Sequence, residues 1–157
     1  MSRISIVMST AMLAVLTLPA NAAEQTLKQQ VQGAWNFVSC DAKAPWCPNA
    51  TGSVSFNGNG RYTMVIFAKN RPRPAAAPGQ QENVTPEDYK GIAQGTVANF
   101  GTWSVNEADK TLTLHTDEGF FPRPAGGTDL KQTISVTADE LKATGPDGGN
   151  VIWRRFK

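Results

Sequence analysis

The sequence is poor in the residues that most often hold metal ions or transfer protons. It contains one histidine, His115, and two cysteines, Cys40 and Cys47. Two thiolates alone do not complete a tetrahedral zinc site, and the close C-x-x-C spacing of a redox pair is missing. We therefore predict no metal site and no bound cofactor.

Concentrated basic charge is also absent. The net charge is +2, and the lysines and arginines are scattered apart from a small cluster of Lys69, Arg71 and Arg73. Because a nucleic-acid-binding protein would present a basic face, we do not expect a nucleic-acid partner.

Catalytic patterns are few. The chain has no G-x-S-x-G nucleophile turn, and Asp117 and Glu118 are strand neighbours whose side chains diverge. His115 follows Leu114 in an alternating segment, so it points outward if the leucine points inward. We favour a binding protein over an enzyme. An isomerase or cyclase with an inward-facing acid or base is the least favoured of the three functional hypotheses, and the other two are given below.

The amino terminus has the pattern of a secretory signal. Arg3 precedes an uncharged apolar run over residues 4–18, and Ala20-Asn21-Ala22 supplies the small-x-small cleavage pattern. The run is shorter than the roughly 20 apolar residues of a membrane span. We predict a signal peptide over residues 1–22 and a periplasmic or secreted domain over residues 23–157.

Cys40 and Cys47 are predicted to form a disulfide, which is the usual state of paired cysteines in an exported protein. Asp41, Pro45 and Pro48 suit a tight turn between them. On the chain-entropy model, closing so short a loop stabilises by roughly 2.5 kcal/mol.

Hydrophobic periodicity predicts a short helix followed by strands. Residues 24–32 form the helix, with Leu27 and Val31 one turn apart. In the first strand Trp35, Phe37 and Ser39 share a face. The alternating segments lie near residues 34–39, 53–56, 62–67, 100–105, 111–115, 133–136, 141–143 and 151–153.

Two long loops and a second helix interrupt these strands. The loops are predicted at residues 70–78 and 118–128. A helix begins at Thr85-Pro86, where threonine caps and proline takes the first helical position. Tyr89 and Ile92 are expected to pack inward from it.

Eight short strands in mostly sequential hairpins predict an all-β, antiparallel up-and-down barrel. The short amino-terminal helix precedes it, and the second helix lies between strands three and four. A two-sheet sandwich is the alternative, although the chain has no clear long crossover between sheets.

Several motifs resemble a known family in their order and spacing. Gly33-Ala34-Trp35 resembles the G-x-W signature of lipocalins, in which an arginine near the end of the barrel covers the tryptophan; Arg154 and Arg155 are the candidates here. Residues 33–40, 60–64, 85–89 and 99–103 are similar to segments of the bacterial lipocalin-like domain family. This resemblance implies a calycin-type barrel and little specific biochemistry.

A small hydrophobic or amphipathic ligand in the lumen is the first functional hypothesis. The predicted lumen residues are Phe37, Phe56, Met64, Ile66, Trp103, Leu112 and Leu114. A filled core without a cavity is the alternative, because eight-stranded barrels are just wide enough for their side chains or one small ligand.

Both long loops are expected at the mouth of the barrel. They would bring Arg71, Arg73 and Arg123 beside Phe120 and Phe121, where the arginines could meet the acidic head of a fatty acid or a similar amphiphile. The second hypothesis is a periplasmic protein-interaction or protease-inhibitor barrel, whose partner would contact the exposed Phe120-Phe121 pair.

Overall fold

The computed structural model describes residues 25–41, 43–44, 46–47, 49–73, 84–122 and 124–157. The predicted signal peptide over residues 1–22 lies outside this part of the chain. The elements in chain order are α1 (Leu27–Val31), β1 (Gly33–Cys40), β2 (Ala50–Phe56), β3 (Arg61–Ala68), α2 (Pro86–Gln94), β4 (Thr96–Asn106), β5 (Thr111–Gly119), β6 (Thr128–Val136), β7 (Glu140–Thr144) and β8 (Asn150–Arg155).

The strands form a closed barrel in which each strand pairs with its sequence neighbours. β1 and β8 complete the ring in antiparallel register, with Trp35 opposite Arg155. The predicted eight-stranded up-and-down barrel with two short helices is confirmed, and the sandwich alternative is wrong. No helix in the described ranges is long and apolar enough to cross a membrane.

Antiparallel connectivity gives the barrel two distinct ends. The carboxyl ends of β1, β3, β5 and β7 lie at one end, which we call the mouth. Helix α1 and the turns over residues 57–60, 107–110 and 137–139 lie at the other end, which we call the base. Both predicted long loops therefore emerge at the same end.

Helix α1 is short but well anchored at the base. Thr26 and Gln29 form a reciprocal capping box, which satisfies backbone groups that a helix start leaves free. The carboxylate of Glu107 accepts the backbone N–H groups of Leu27 and Lys28 at 2.8 and 3.0 Å. Val31 is completely buried, so the predicted inward face of the helix packs on the core.

A β-bulge interrupts the alternation of β1. The register with β8 shifts between Phe37 and Ser39, so Ser39 is exposed and Cys40 is buried. The expectation that Ser39 shares the face of Trp35 and Phe37 is therefore wrong. A bulge adds one residue to a strand and reverses the sides of the residues that follow.

Helix α2 packs through glycines rather than through its large side chains. A Cβ on Gly91 would lie 2.7 Å from Pro72, and one on Gly95 would lie 3.2 Å from Ala68. Tyr89 is 47% exposed, and the helix has no fully buried residue. The expectation that Tyr89 packs inward is wrong, because the close-packed side of the helix has no room for a ring.

The second long loop is shorter than predicted. β5 continues to Gly119 and β6 begins at Thr128, so the connection covers residues 120–127. The backbone N–H of Phe120 still bonds to the carbonyl of Ala98 at 2.7 Å, which extends the β4–β5 ladder to the start of the loop.

Candidate functional site

The barrel encloses an apolar lumen cavity of about 100 Å³. All but one of its described lining residues are apolar, and Gln132 is the exception. The lining residues are Trp46, Val54, Phe56, Met64, Ile66, Val97, Leu112, Leu114, Leu130, Gln132, Leu141, Ala143, Val151 and Trp153. The lumen therefore contains free space next to a largely hydrocarbon wall.

The structure brings five of the seven predicted lumen residues together around this cavity. They are Phe56, Met64, Ile66, Leu112 and Leu114. Phe37 lies just beside it, with its ring edge-on to Trp46 and Trp153 at centroid distances of 6.2 and 5.7 Å.

Trp103 belongs to the base rather than to the cavity wall. Its indole Nε1 donates to the carbonyl of Asn57 at 3.0 Å, and the ammonium of Lys28 lies 5.7 Å from its ring centroid. Its ring centroid is 5.2 Å from that of Phe56. Trp103 thus packs against the wall residue Phe56 from the side of the base and does not line the cavity itself.

Of the rim arginines that the sequence predicts, Arg71 packs on the outer surface of the barrel. The guanidinium of Arg71 lies 3.8 Å from the ring centroid of Phe67. Phe67 lies between the inward-facing Ile66 and Ala68 on β3, so its side chain is on the outer surface. Arg123 lies outside the described residues.

Trp46 is the cavity residue that sequence reasoning missed. It lies between Cys40 and Cys47, whose disulfide joins Cα atoms 5.8 Å apart. The N–H of Cys47 donates to the carbonyl of Ala44 at 3.0 Å, which tightens the turn further. A large aromatic residue inside such a short closed loop can pack in few directions. The position of Trp46 between the two cysteines could therefore have indicated its role from the sequence.

A second, larger cavity opens above the lumen at the mouth. It has a volume of about 310 Å³ and is lined by Trp46, Gln94, Thr96, Val97, Ala98, Asn99, Phe120 and Phe121. Trp46 and Val97 also line the lumen cavity, so the two spaces share a wall. The rings of Phe120 and Phe121 meet edge-to-face at 5.2 Å and form one side of the mouth cavity.

Strand β6 extends beyond its partner β7 at the mouth end of the barrel. The register of these strands runs only from Thr133 to Val136 on β6, so the first half of β6 has no β7 partner in the described structure. Leu130 in that half lines the lumen and is still 38% exposed. Leu130 therefore contacts both the lumen cavity and solvent where β6 extends beyond β7.

The base carries the geometry that the resemblance implies. Trp35 is completely buried, and the guanidinium of Arg155 lies 4.0 Å from its ring centroid. Gly33 has a φ of +123°, and a Cβ there would lie 3.2 Å from the guanidinium of Arg155. Glycine fits this position because it tolerates positive φ and leaves room for the arginine. Arg154, by contrast, is exposed.

Comparison with known proteins agrees with this geometry. A family model described as a lipocalin-like domain matches residues 32–154. The chain belongs to this lipocalin-like domain family. A comparison with curated proteins gave no match.

His115 and the described charged residues near it lie on the outer surface of this lipocalin-like domain. The Nδ1 atom of His115 is 2.6 Å from a carboxylate oxygen of Asp129, and its side chain is 42% exposed. Arg61 and Asp117 form an ion pair at 2.7 Å on the same outer surface. Across the described residues no group of three potential metal ligands is clustered. An isomerase or cyclase would need an acid or base in the lumen, and no described charged side chain lines it.

Proposed function

We propose that this lipocalin-like domain binds a small hydrophobic or amphipathic molecule in its lumen. The observation that carries the proposal is the apolar lumen cavity, which shares a wall with the larger mouth cavity. Each methylene group moved from water into such a wall contributes about 0.8 kcal/mol. A short hydrocarbon chain is thus enough for measurable binding.

The sizes of the two spaces bound the ligand. Sites for drug-sized molecules have volumes of about 300–1,000 Å³, and the lumen cavity of about 100 Å³ is smaller. We infer that the lumen takes a chain or a small ring, while the rest of the ligand lies in the mouth cavity between Trp46 and the two phenylalanines.

We also propose that the protein is exported, with residues 1–22 as its signal peptide. The Cys40–Cys47 disulfide supports this, because disulfides persist in oxidising compartments such as the periplasm or the extracellular space. Mass measurement of the protein recovered from its own host tests the proposal. A mature chain that still carries the first residues would contradict it.

The binding proposal is tested by titration with 1-octanol, followed by tryptophan emission and by calorimetry. Trp46 and Trp153 line the lumen, so a bound chain should change their emission in a saturable way. In Ala143→Leu, the larger side chain fills part of the lumen and should weaken binding at least about tenfold.

Ala34→Leu is the matched control, because Ala34 is exposed on β1 and the substitution adds the same atoms outside the barrel. Urea denaturation of both variants confirms that they fold. The absence of a saturable signal, or equal affinity in Ala143→Leu and in the unaltered protein, contradicts lumen binding.

Phe120 and Phe121 are 50% and 53% exposed. This exposure favours a second candidate function, in which the two rings contact a protein partner. Phe121→Ser distinguishes the two roles. A lumen ligand that extends into the mouth loses affinity in this variant, whereas a surface used only by a partner leaves 1-octanol binding unchanged.

A further inference from the structure

The mouth cavity contains a buried polar group without a partner. Asn99 is only 8% exposed, and its side-chain Oδ1 is the one buried side-chain polar atom in the described structure that makes no hydrogen bond. Leaving such a group unsatisfied is costly, and unpaired buried polar atoms are rare in folded proteins.

The surrounding backbone keeps Asn99 in this place. Asn99 pairs with Met64 on β3 and with Gly119 at the end of β5. A Cβ on Gly119 would lie 3.1 Å from the Cβ of Asn99, so only glycine leaves this much space beside the carboxamide. Thr96 also lines the cavity, but its hydroxyl already donates to the carbonyl of Ile92 at 2.7 Å.

The carboxamide of Asn99 can present either of its polar atoms. The oxygen and nitrogen of an asparagine side chain exchange places on a half-turn, so the carboxamide can offer either an acceptor or a donor to a ligand. A ligand group that both donates and accepts hydrogen bonds can adapt to either arrangement.

The described residues that line the two cavities supply no charge to balance an ionised ligand. Among the described residues that line the lumen and the mouth cavities, none is Asp, Glu, Lys or Arg. Arg71, the closest candidate from the sequence, is stacked on the outward-facing Phe67. An ionised head group would lose its water without gaining a counter-charge, which is strongly unfavourable.

We propose that the mouth cavity selects an uncharged hydrogen-bonding head group, a hydroxyl or a carboxamide, which bonds to the carboxamide of Asn99 while the apolar tail enters the lumen. This rests on the proposed lumen binding and adds the chemical class of the head group. It differs from the acidic head group that the sequence suggested, and the ligand series below distinguishes the two.

The test uses ligands that share one tail. The affinities of 1-octanol, octanamide, octanoate and octylammonium are measured by calorimetry at pH 7 with the whole mature protein. We expect the two neutral ligands to bind at least about tenfold more tightly than the two ions. Octanoate binding as tightly as 1-octanol overturns the head-group assignment and leaves lumen binding intact, whereas no binding of any of the four overturns both.

Asn99→Leu tests the role of the carboxamide itself. Because it removes the unpaired polar atom, the free variant should unfold at a higher urea concentration than the unaltered protein, and 1-octanol should bind about tenfold less tightly. Asn36→Leu is the matched control, since Asn36 is exposed on β1 and the same substitution there lies outside both cavities. Unchanged 1-octanol affinity in Asn99→Leu overturns the proposal, and the ligand series on the unaltered protein remains decisive if that variant does not fold.

Discussion

Arg155 is predicted to be the most important single side chain for the stability of the base. Its guanidinium stacks on Trp35 and donates to the carbonyls of Gln30 and Gln32 at 2.6 and 3.0 Å. Its Nε donates to the carbonyl of Ala138 at 2.6 Å. One side chain thus joins the end of α1, the last strand and the β6–β7 turn.

The size of the effect follows from these contacts. A hydrogen bond from a charged donor contributes about 1.5–3 kcal/mol, and the lower figure applies because Arg155 is only half-buried. The stack adds about 1 kcal/mol. The entropy lost when the long side chain is ordered in the folded state offsets up to about 2 kcal/mol of this stabilisation. We expect Arg155→Ala to lower the free energy of unfolding by about 3–4 kcal/mol.

Urea denaturation followed by tryptophan emission measures this loss. With a typical slope of about 1.5–2 kcal/mol per molar urea for a domain of this size, the midpoint should fall by about 2 M. Arg155→Lys should recover less than half of the loss, because one ammonium cannot reproduce the planar fork or the stack. Arg154→Ala is the matched control and should change stability by less than about 0.5 kcal/mol. A loss below about 1 kcal/mol in Arg155→Ala, or an equal loss in Arg154→Ala, would refute the reasoning.

Three further predictions concern other parts of the barrel. Replacing both Cys40 and Cys47 by serine should lower the free energy of unfolding, measured by urea denaturation, by about 2.5 kcal/mol. It should also weaken 1-octanol binding, because the loop that holds Trp46 is released. Gly101→Ala should cost about 3 kcal/mol, since its Cβ would lie 1.9 Å from a backbone oxygen of the neighbouring strand; a loss below about 1 kcal/mol contradicts this. Side-chain and backbone hydrogen bonds from Asn150 hold the pKa of Asp41 below its ordinary value of 3.8. Because the folded-state pKa is the lower one, this contribution is present above the ordinary value and is lost as the pH falls through the lowered pKa. Asp41→Asn should therefore flatten the acid side of the curve of stability against pH, and an unchanged curve would argue against it.

The strands could be predicted from the sequence because their signals are local. Alternation with a period of two places Val54 and Phe56, or Leu112 and Leu114, on one face, and turn residues separate the segments. Once the strands are in sequential hairpins, closure into a barrel buries those faces and removes the exposed sheet edges.

The features that could not be predicted depend on partners far away in the sequence. The bulge at Ser39 depends on how β8 pairs with β1, and nothing in the composition of β1 indicates it. Arg71 was expected to face a ligand, but its position depends on which side of β3 presents Phe67. Asn99 looks like any polar residue in a strand, and its unpaired state is visible only when its neighbours are in place.

The two ends of the barrel satisfy their polar groups in opposite ways, and this separates stability from binding. At the base, the indole N–H of Trp35 donates to the carbonyl of Val31 at 2.8 Å, and Arg155 satisfies the helix end, so every one of these groups has a partner inside the protein. At the mouth, Asn99 lacks one, and the aromatic side chains beside it are half exposed. Groups that are paired within the protein gain nothing from a ligand, whereas an unpaired group and exposed rings gain when a ligand arrives. Substitutions of Trp35 or Arg155 at the base should therefore change stability without changing ligand preference, and substitutions of Asn99 at the mouth should change ligand preference at little or no cost in stability.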